Sequence, residues 1–356
     1  MIRDDSNIGN PGSQYPPGRH NRVMATLLRR LPDGFTLALL ATVALASLLP
    51  GRGALVPVLG DATALAVALL FFLHGVRLPR EAMVGGLAHW RLHLAVLASS
   101  FVLFPLLGLA LAPLAPRVLP PSLYLGLLFL TTLPSTVQAS IAFTSIAGGN
   151  VAAALCSASL SSLLGTLVTP LLVGLMMRAH GGLSLNALGT VALQLVLPFL
   201  AGQALRPLIG GWIARRRALL GLVDRGSVLL MVYTTFSAAM VAGLWRQLPA
   251  GALAVTALVA GLLLAAVLGL TTALARLLGF ARPDEITLVF CGSKKSLVAG
   301  IPLATVLFSS DQTGLIVLPL MVFHQIQLIV CAALARRYAA RRPAARAAAA
   351  LAQAAG

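Results

Sequence analysis

Long apolar runs, separated by short polar or arginine-bearing stretches, make up most of the chain. The runs are rich in Leu, Ala, Val and Gly and lack the two-residue alternation of barrel strands, so they predict transmembrane helices. We expect about ten spans. Their predicted ranges are 34–50, 60–77, 92–115, 120–147, 150–177, 184–208, 218–245, 250–279, 283–308 and 312–338.

The composition supports the same fold class. Hydrophobic residues make up 58% of the 356 positions, charged residues make up 10%, and the mean hydropathy is +0.93. A soluble domain uses roughly 25% charged residues to cover its surface, whereas a bilayer requires that backbone polar groups be satisfied within the spanning segment. The predicted fold is therefore an all-α integral membrane protein, with the lipid bilayer as a partner.

The arginines indicate how the spans are oriented. A formal net charge of +17 would suggest a nucleic-acid partner in a soluble protein, but 24 of the 26 cations are arginines that lie between or beyond the apolar runs. If the N-terminus is inside, the outer face receives only Arg52, Arg117, Arg178 and Arg246, and the other twenty fall on the inner face. The positive-inside rule then predicts an inner-membrane protein with both termini in the cytoplasm and no nucleic-acid partner.

Ten spans divide into two groups of five. An odd number of spans in each half makes the second half enter the membrane from the opposite side, as in the inverted repeats of many transporters. We predict these repeats at residues 29–180 and 181–338. The polar stretch 1–28 is predicted to be a disordered cytoplasmic arm, and residues 339–356 a cytoplasmic tail.

The fourth predicted span of each half contains residues that interrupt a helix. The first interruption surrounds Pro134, and the second begins at Gly292. Matched Gly/Pro interruptions in corresponding spans indicate a transporter binding site, although a proline kink with close helix packing gives the same pattern. The candidate substrate- or ion-binding residues are Thr136, Gln138 and Ser140 in the first segment and Gly292, Ser293, Lys294, Lys295 and Ser296 in the second.

Lys294 and Lys295 are the only lysines in the chain, and both fall inside the ninth predicted span. A cation at the centre of a bilayer costs at least ~2.5–3.5 kcal/mol, so it is normally paired, hydrated or neutralised. All nine acidic residues map to span ends or loops, which leaves no obvious carboxylate for either lysine. The remaining options are backbone carbonyls, hydroxyls, a bound anion, or loss of the lysine proton.

Two polar residues of the tenth predicted span, His324 and Gln325, are further candidates for lining the site. Interhelical hydrogen bonding is the alternative role for each of them. The three cysteines lie in apolar runs without the spacing of metal ligands, so neither a metal nor a bound cofactor is predicted.

Three stretches of the chain resemble one known family. They are residues 71–78 (FFLHGVRL), residues 148–170 from Gly-Gly-Asn to Thr-Pro, and residues 290–302 (FCGSKKSLVAGIP). In them the chain resembles the bile acid:sodium symporter family, and in particular its SBF-like branch, which contains solute carrier family 10 member 7. The resemblance implies ten spans, a panel and a core domain, and fourth and ninth helices that are broken and cross each other.

The family's sodium ligands carry over at one position only. Its serine on the fourth helix is matched by Ser140. The other sodium-binding positions correspond to Ile141, Ala154, Ala158, Phe290 and Lys294 in this sequence. We therefore hypothesise that the ammonium of Lys294 or Lys295 occupies the place of a sodium ion, which leaves H⁺ and Na⁺ both open as the coupling ion.

These observations predict a secondary active transporter of a small organic, anionic solute that works by alternating access. A non-transporting membrane regulator of ion homeostasis, acting through partners, is the alternative. An intramembrane enzyme is not expected, because a constellation of acidic and histidine side chains facing one cavity would be needed and the acidic residues map to span ends or loops.

Overall fold

The helices begin and end close to the predicted spans. The computed structural model describes residues 34–77, 89–177, 185–243 and 251–341, and these contain helices and no strands. In chain order the helices are α1 Gly34–Leu48, α2 Leu55–Arg77, α3 Trp90–Ala110, α4 Pro121–Thr132, α5 Val137–Ala147, α6 Val151–Met177, α7 Leu185–Arg215, α8 Arg217–Val241, α9 Ala252–Leu277, α10 Arg282–Gly292, α11 Leu297–Leu307 and α12 Ser310–Ala340. A single helical turn, Ala115–Val118, precedes α4.

Seven segments of the described chain are long and apolar enough to cross a bilayer, or eight if the bent pair α4 and α5 is counted as one span. The helix α1 is apolar but only 15 residues long. The predicted all-α, multi-pass membrane fold is thus confirmed, whereas the count of ten spans stays a prediction. The pair α10–α11 is the most enclosed of these segments, with 89% of its apolar window buried inside the protein.

Some predicted boundaries differ from the observed ones. The helix α7 continues past the predicted end at 208 to Arg215, through Pro198 and Pro207, because backbone groups freed by proline in membrane helices find other partners. The helix α3 contains a π-helical segment, Ser99–Leu103, that the hydropathy pattern does not reveal. The helix α12 ends at Ala340, two residues into the predicted tail.

The predicted domain division remains untested. The predicted arm and the proposed boundary at 180–181 lie outside the described residues, as does most of the tail. Contacts divide the chain into two units, residues 1–41 and 42–356. The described part of the first unit is the start of α1, and the second unit contains all the residues discussed below.

Among the described helices of the second unit, α2 and α7 pack against each other most extensively, and their backbones approach closely. A Cβ atom on Gly75 would overlap the carbonyl oxygen of Phe199, and one on Gly202 would overlap the carbonyl oxygen of Phe72. Because each glycine faces the backbone of the other helix, this crossing depends on both residues lacking a side chain.

Substitution of Gly75 by alanine is therefore expected to lower the melting temperature of the purified protein. The added methyl group must push two backbones apart, and overpacking of this kind costs about 1–3 kcal/mol. Gly269 on α9 is the matched control, because a Cβ there meets no atom within 4 Å. Thermal unfolding in detergent should separate Gly75→Ala from Gly269→Ala, and equal melting temperatures would contradict the proposed packing.

Candidate functional site

The two predicted interruptions are real breaks in the helices. The helix α4 ends at Thr132 and α5 begins at Val137, with a bend of 64° between them. The second break separates the end of α10 from the start of α11. The two breaks meet, because the backbone N–H of Ser296 donates to the carbonyl of Pro134 over 2.9 Å.

The crossing segments run antiparallel. The Ser140 hydroxyl donates to the carbonyl of Phe290 at 3.3 Å, and the Thr136 hydroxyl donates to the carbonyl of Lys295 at 3.0 Å. Moving forward along the first segment therefore corresponds to moving backward along the second. This arrangement places two of the predicted site residues, Thr136 and Ser140, directly on the lysine-bearing break.

Ser135 also holds the crossing together, although the sequence did not single it out as a site residue. Its hydroxyl donates to the carbonyl of Cys291 at 2.6 Å, and its backbone N–H donates to the Ser161 hydroxyl oxygen at 3.0 Å. Its position immediately after Pro134 was the available signal, since the backbone groups of a broken helix need partners other than the helix itself.

The Lys295 ammonium group is fully buried and all three of its N–H donors are used. It donates to the carbonyl oxygens of Ser100 at 2.8 Å, Thr131 at 2.8 Å and Leu133 at 2.6 Å. The ring of Phe104 lies 4.1 Å from Nζ, close enough for a cation–π contact. No carboxylate among the described residues bonds to it, so main-chain oxygen atoms hold this cation.

These three carbonyls are available because two helices are irregular. Thr131 and Leu133 lie at the C-terminal end of α4, where the last carbonyls have no N–H partner in the next turn and carry the negative end of the helix dipole. Ser100 lies in the π-helical segment of α3, which departs from the regular hydrogen-bonding pattern, as π-bulges often do at functional sites.

The side chain of Gln327 fixes the backbone at Lys295. Its Oε1 accepts from the Lys295 N–H at 3.0 Å, and its Nε2 donates to the Lys295 carbonyl at 2.9 Å. The same Nε2 lies 2.9 Å from Nδ1 of His324, which must accept because an amide nitrogen only donates. His324 was a predicted site residue. Gln327 was not, although its spacing of three residues from His324 places both on one face of α12.

Lys294 is also fully buried, but its surroundings are different. Its Nζ has no hydrogen-bond partner among the described residues. It lies 4.4 Å from the centre of the Phe143 ring and 4.8 Å from that of Phe290. The nearby ionisable groups are the thiols of Cys331 and Cys291. Two adjacent lysines thus point into opposite environments, one of oxygen atoms and the other of aromatic rings and sulfur.

The other predicted residues of the second break have mainly local contacts. The Ser296 hydroxyl oxygen caps α11 by accepting from the N–H of Ala299 at 3.1 Å. The Ser293 hydroxyl is buried and has no partner within the described part of the chain. A Cβ on Gly292 would come within 3.0 Å of the Cβ of Ser99, so this glycine lets α10 approach α3 closely. Gln325 is half-buried on α12.

A second set of hydrogen bonds joins the start of α6 to α10 beside the crossing. The side-chain amide of Asn150 donates to the Asp284 carboxylate at 3.0 Å, and its backbone N–H donates to the Thr287 hydroxyl oxygen at 3.0 Å. A Cβ on Gly149 would lie 2.7 Å from Cγ2 of Ile286. The Gly149-Asn150 pair therefore anchors the start of α10 against the loop between α5 and α6.

A cavity of about 800 Å³ lies beside the crossing. The exposed side chain of Gln138, a predicted site residue at the start of α5, contributes to its lining. The charged residues of the lining are Arg77 on α2, Arg206 on α7 and Asp224 on α8. Arg77 Nη1 lies 2.5 Å from Asp224 Oδ2. In the sequence these arginines indicated only the topology, and Asp224 mapped to a span end.

Three features of this site together indicate a class of membrane protein. They are the antiparallel crossing of two broken helices, the unwound backbone that contacts cations, and the adjoining polar cavity. Non-helical backbone within a membrane protein is tolerated where it is buried or lines a cavity, and secondary transporters use such segments for solute and ion sites. These features define a multi-pass membrane transporter.

Comparison with known proteins identifies the family. The model of the SBF-like CPA transporter family matches residues 33–340, so the chain belongs to that family. This confirms the resemblance found in the sequence, and it places the protein among transporters and not among enzymes.

Three relatives align with most of the chain. "Uncharacterized protein PA2026" of Pseudomonas aeruginosa is 58% identical over 315 residues, which cover 88% of this chain and 95% of the relative. "Putative symporter YfeH" of Escherichia coli K12 is 54% identical over 312 residues, covering 87% and 94%. "Sodium/bile acid cotransporter 7" of Xenopus tropicalis is 28% identical over 324 residues, covering 87% and 93%.

Proposed function

We propose that the protein is a secondary active transporter of a small organic anion that works by alternating access, without sodium as the coupling ion. We place it in the inner membrane with both termini in the cytoplasm. The distribution of twenty arginines against four supports this orientation. The names of two relatives, a symporter and a cotransporter, support solute transport as the activity.

The observation that carries the proposal is the coordination of Lys295. Carbonyls at the end of a broken helix are the groups with which transporters hold sodium ions. Here two such oxygens, together with the Ser100 carbonyl of α3, surround an ammonium group that is covalently part of the chain. Because this ammonium group is covalently attached to the protein, it cannot be transported across the membrane as a free sodium ion can. A proton can leave it, so H⁺ is the coupling ion that this site favours.

The positions that correspond to the family's sodium ligands support the same conclusion. Ala154 and Ala158 stand where the family has hydroxyl ligands, and both are fully buried methyl groups without a side-chain oxygen. Phe290 stands where the family has a carboxylate, and its ring faces Lys294. A hard cation such as sodium prefers oxygen ligands, so the side chains at these three positions cannot help to bind it.

The test begins with a thermal-shift screen of the purified protein against small metabolites, with and without sodium. A stabilising compound is then offered to proteoliposomes under an imposed pH gradient or an imposed sodium gradient. We expect accumulation with the pH gradient and none with sodium alone, together with loss of uptake in Lys294→Gln and Lys295→Gln.

Unaltered, sodium-driven uptake in both glutamine variants would refute the proposed coupling. The complete absence of ligand-dependent stabilisation and of uptake would favour the non-transporting regulator. These two results are distinct, because the first preserves transport and the second removes it.

A further inference from the structure

We propose that the cavity beside the crossing binds the oxyanion group of the solute through Arg77 and Arg206, and that the Asp224 carboxylate occupies part of this place when no solute is bound. The solute class is an amphipathic oxyanion: a carboxylate, sulfonate or phosphate attached to an apolar body. The assignment rests on the proposed transport function and adds the solute-binding group to it.

The position of the cavity supports this role. Four helices line it, and they belong to distant parts of the chain: α2, α5, α7 and α8. The cavity extends to the first break, because Gln138, the second residue of α5, is part of its lining. A ligand in this space therefore touches both the arginine-bearing helices and one of the two crossing segments. Its volume of about 800 Å³ is within the range of pockets that enclose small organic molecules.

The lining has the chemistry of an anion site. Two guanidinium groups and one carboxylate leave an excess of one positive charge among the charged residues that line it. Arginine is suited to carboxylate and phosphate because its planar fork can donate two parallel hydrogen bonds. Most other lining residues are apolar or glycine, including Val76, Ile213 and Leu220. This combination accepts a charged head and an apolar body.

The ion pair between Arg77 and Asp224 is only half satisfied. One bond joins Nη1 to Oδ2, whereas Nη2 of Arg77 and Oδ1 of Asp224 are buried and have no partner within the described residues. A buried polar group without a partner is costly. An incoming oxyanion removes that cost if it accepts hydrogen bonds from both Nη1 and Nη2 of Arg77 while the Asp224 side chain turns away. Asp224 thus acts as an internal competitor for the solute.

The lysines of the crossing cannot serve as the anion-binding group. The ammonium of Lys295 has all three donors engaged, and both lysines have no exposed surface. The Lys294 ammonium lies against the faces of Phe143 and Phe290, whose negative potential repels an anion. Arg77, in contrast, keeps 30% of its side chain exposed beside the cavity.

The experiment measures binding of hexanoate, hexanesulfonate and hexyl phosphate, as choline salts, to the detergent-purified protein, with hexanamide as the uncharged analogue. We expect at least one oxyanion to bind and hexanamide not to. Arg77→Gln and Arg206→Gln should each weaken that binding about tenfold or more, the size expected for a lost hydrogen bond to a charged group. Asp224→Asn should tighten it about threefold or more, because the internal competitor loses its charge.

Arg215→Gln is the matched control, because Arg215 is exposed on α7 and bonds only the carbonyl of Gly211 among the contacts described for it. The double variant Arg77→Gln with Asp224→Asn keeps a neutral hydrogen-bonding pair, so it separates loss of binding from loss of folding. Binding that is equal for hexanamide, absent for all three oxyanions, or weakened by Asp224→Asn would overturn the assignment.

This assay reads binding alone, and so it can fail independently of the proposed function. Oxyanion binding without any transport would refute the transporter proposal and leave the cavity assignment intact. Transport of an identified solute that is unaffected by Arg77→Gln and Arg206→Gln would refute the cavity assignment and leave the transporter proposal intact.

Discussion

Replacement of Lys295 by alanine is expected to lower the stability of the protein in sodium-free buffer and to make that stability depend on sodium. Alanine removes the ammonium group that donates to the carbonyls of Ser100, Thr131 and Leu133. Each buried polar group left without a partner costs about 1–3 kcal/mol. A loss of several kcal/mol is therefore expected, in addition to the cost of the cavity left by the side chain.

Sodium should restore part of that loss. Three converging carbonyl oxygens, two at the negative end of α4 and one in the π-helical segment of α3, form a cation site once the ammonium is removed. A ligand that binds only the folded state raises its apparent stability. Thermal unfolding of Lys295→Ala in sodium chloride and in choline chloride at equal ionic strength measures the effect directly.

Lys294→Ala is the control for this experiment, because the aromatic rings and thiols around Lys294 offer no ring of oxygen atoms. It should show the same melting temperature in both salts, as should the wild-type protein. A melting temperature of Lys295→Ala that does not change between sodium and choline would show that the three carbonyls do not form a cation site.

Replacement of Lys294 by methionine is expected to have the opposite effect on stability from the same change at Lys295. The Lys294 ammonium donates to no oxygen or nitrogen atom among the described residues, and it is enclosed by Phe143, Phe290 and the thiols of Cys331 and Cys291. Because burial of an ion carries a desolvation penalty of several kcal/mol, exchanging a poorly paired buried charge for an apolar side chain of similar length should be stabilising. Methionine also packs well against aromatic rings.

Transport, in contrast, should be lost in Lys294→Met. A side chain that destabilises the protein without an obvious structural partner is expected at a functional position. Melting temperatures and uptake of an identified solute should be measured together for Lys294→Met and Lys295→Met. A lower melting temperature for Lys294→Met, or wild-type uptake in it, would contradict a functional role for this lysine.

The sequence was sufficient for the class of fold and the location of the crossing. Hydropathy is a local property, because each span has to be apolar by itself to lie in lipid. The breaks were predictable for the same reason, since Pro134 and Gly292 act on the helix in which they lie. The free-energy cost of placing two lysines in an apolar run could also be inferred from the sequence, without knowledge of the groups that they contact.

The partners of those lysines could not be predicted. Lys295 bonds to the carbonyl of Ser100, 195 residues away in the chain. Every residue has a carbonyl group, so no sequence pattern marks the three that face an ammonium ion. The π-helical segment that includes Ser100 has no compositional signature in the apolar run either. Likewise, Asp224 pairs with Arg77 across 147 residues, and hydropathy identifies neither as a partner of the other.

The sequence by itself thus determined that this is a helical membrane protein with two interrupted spans and two buried cations, because each of those properties depends on the residues within one segment. The tertiary structure alone decided that Lys295 is coordinated by oxygen atoms, that Lys294 faces aromatic rings, and that Arg77 and Asp224 meet at a cavity. The physical reason is that these are contacts between distant segments, made largely through backbone groups that all residues share.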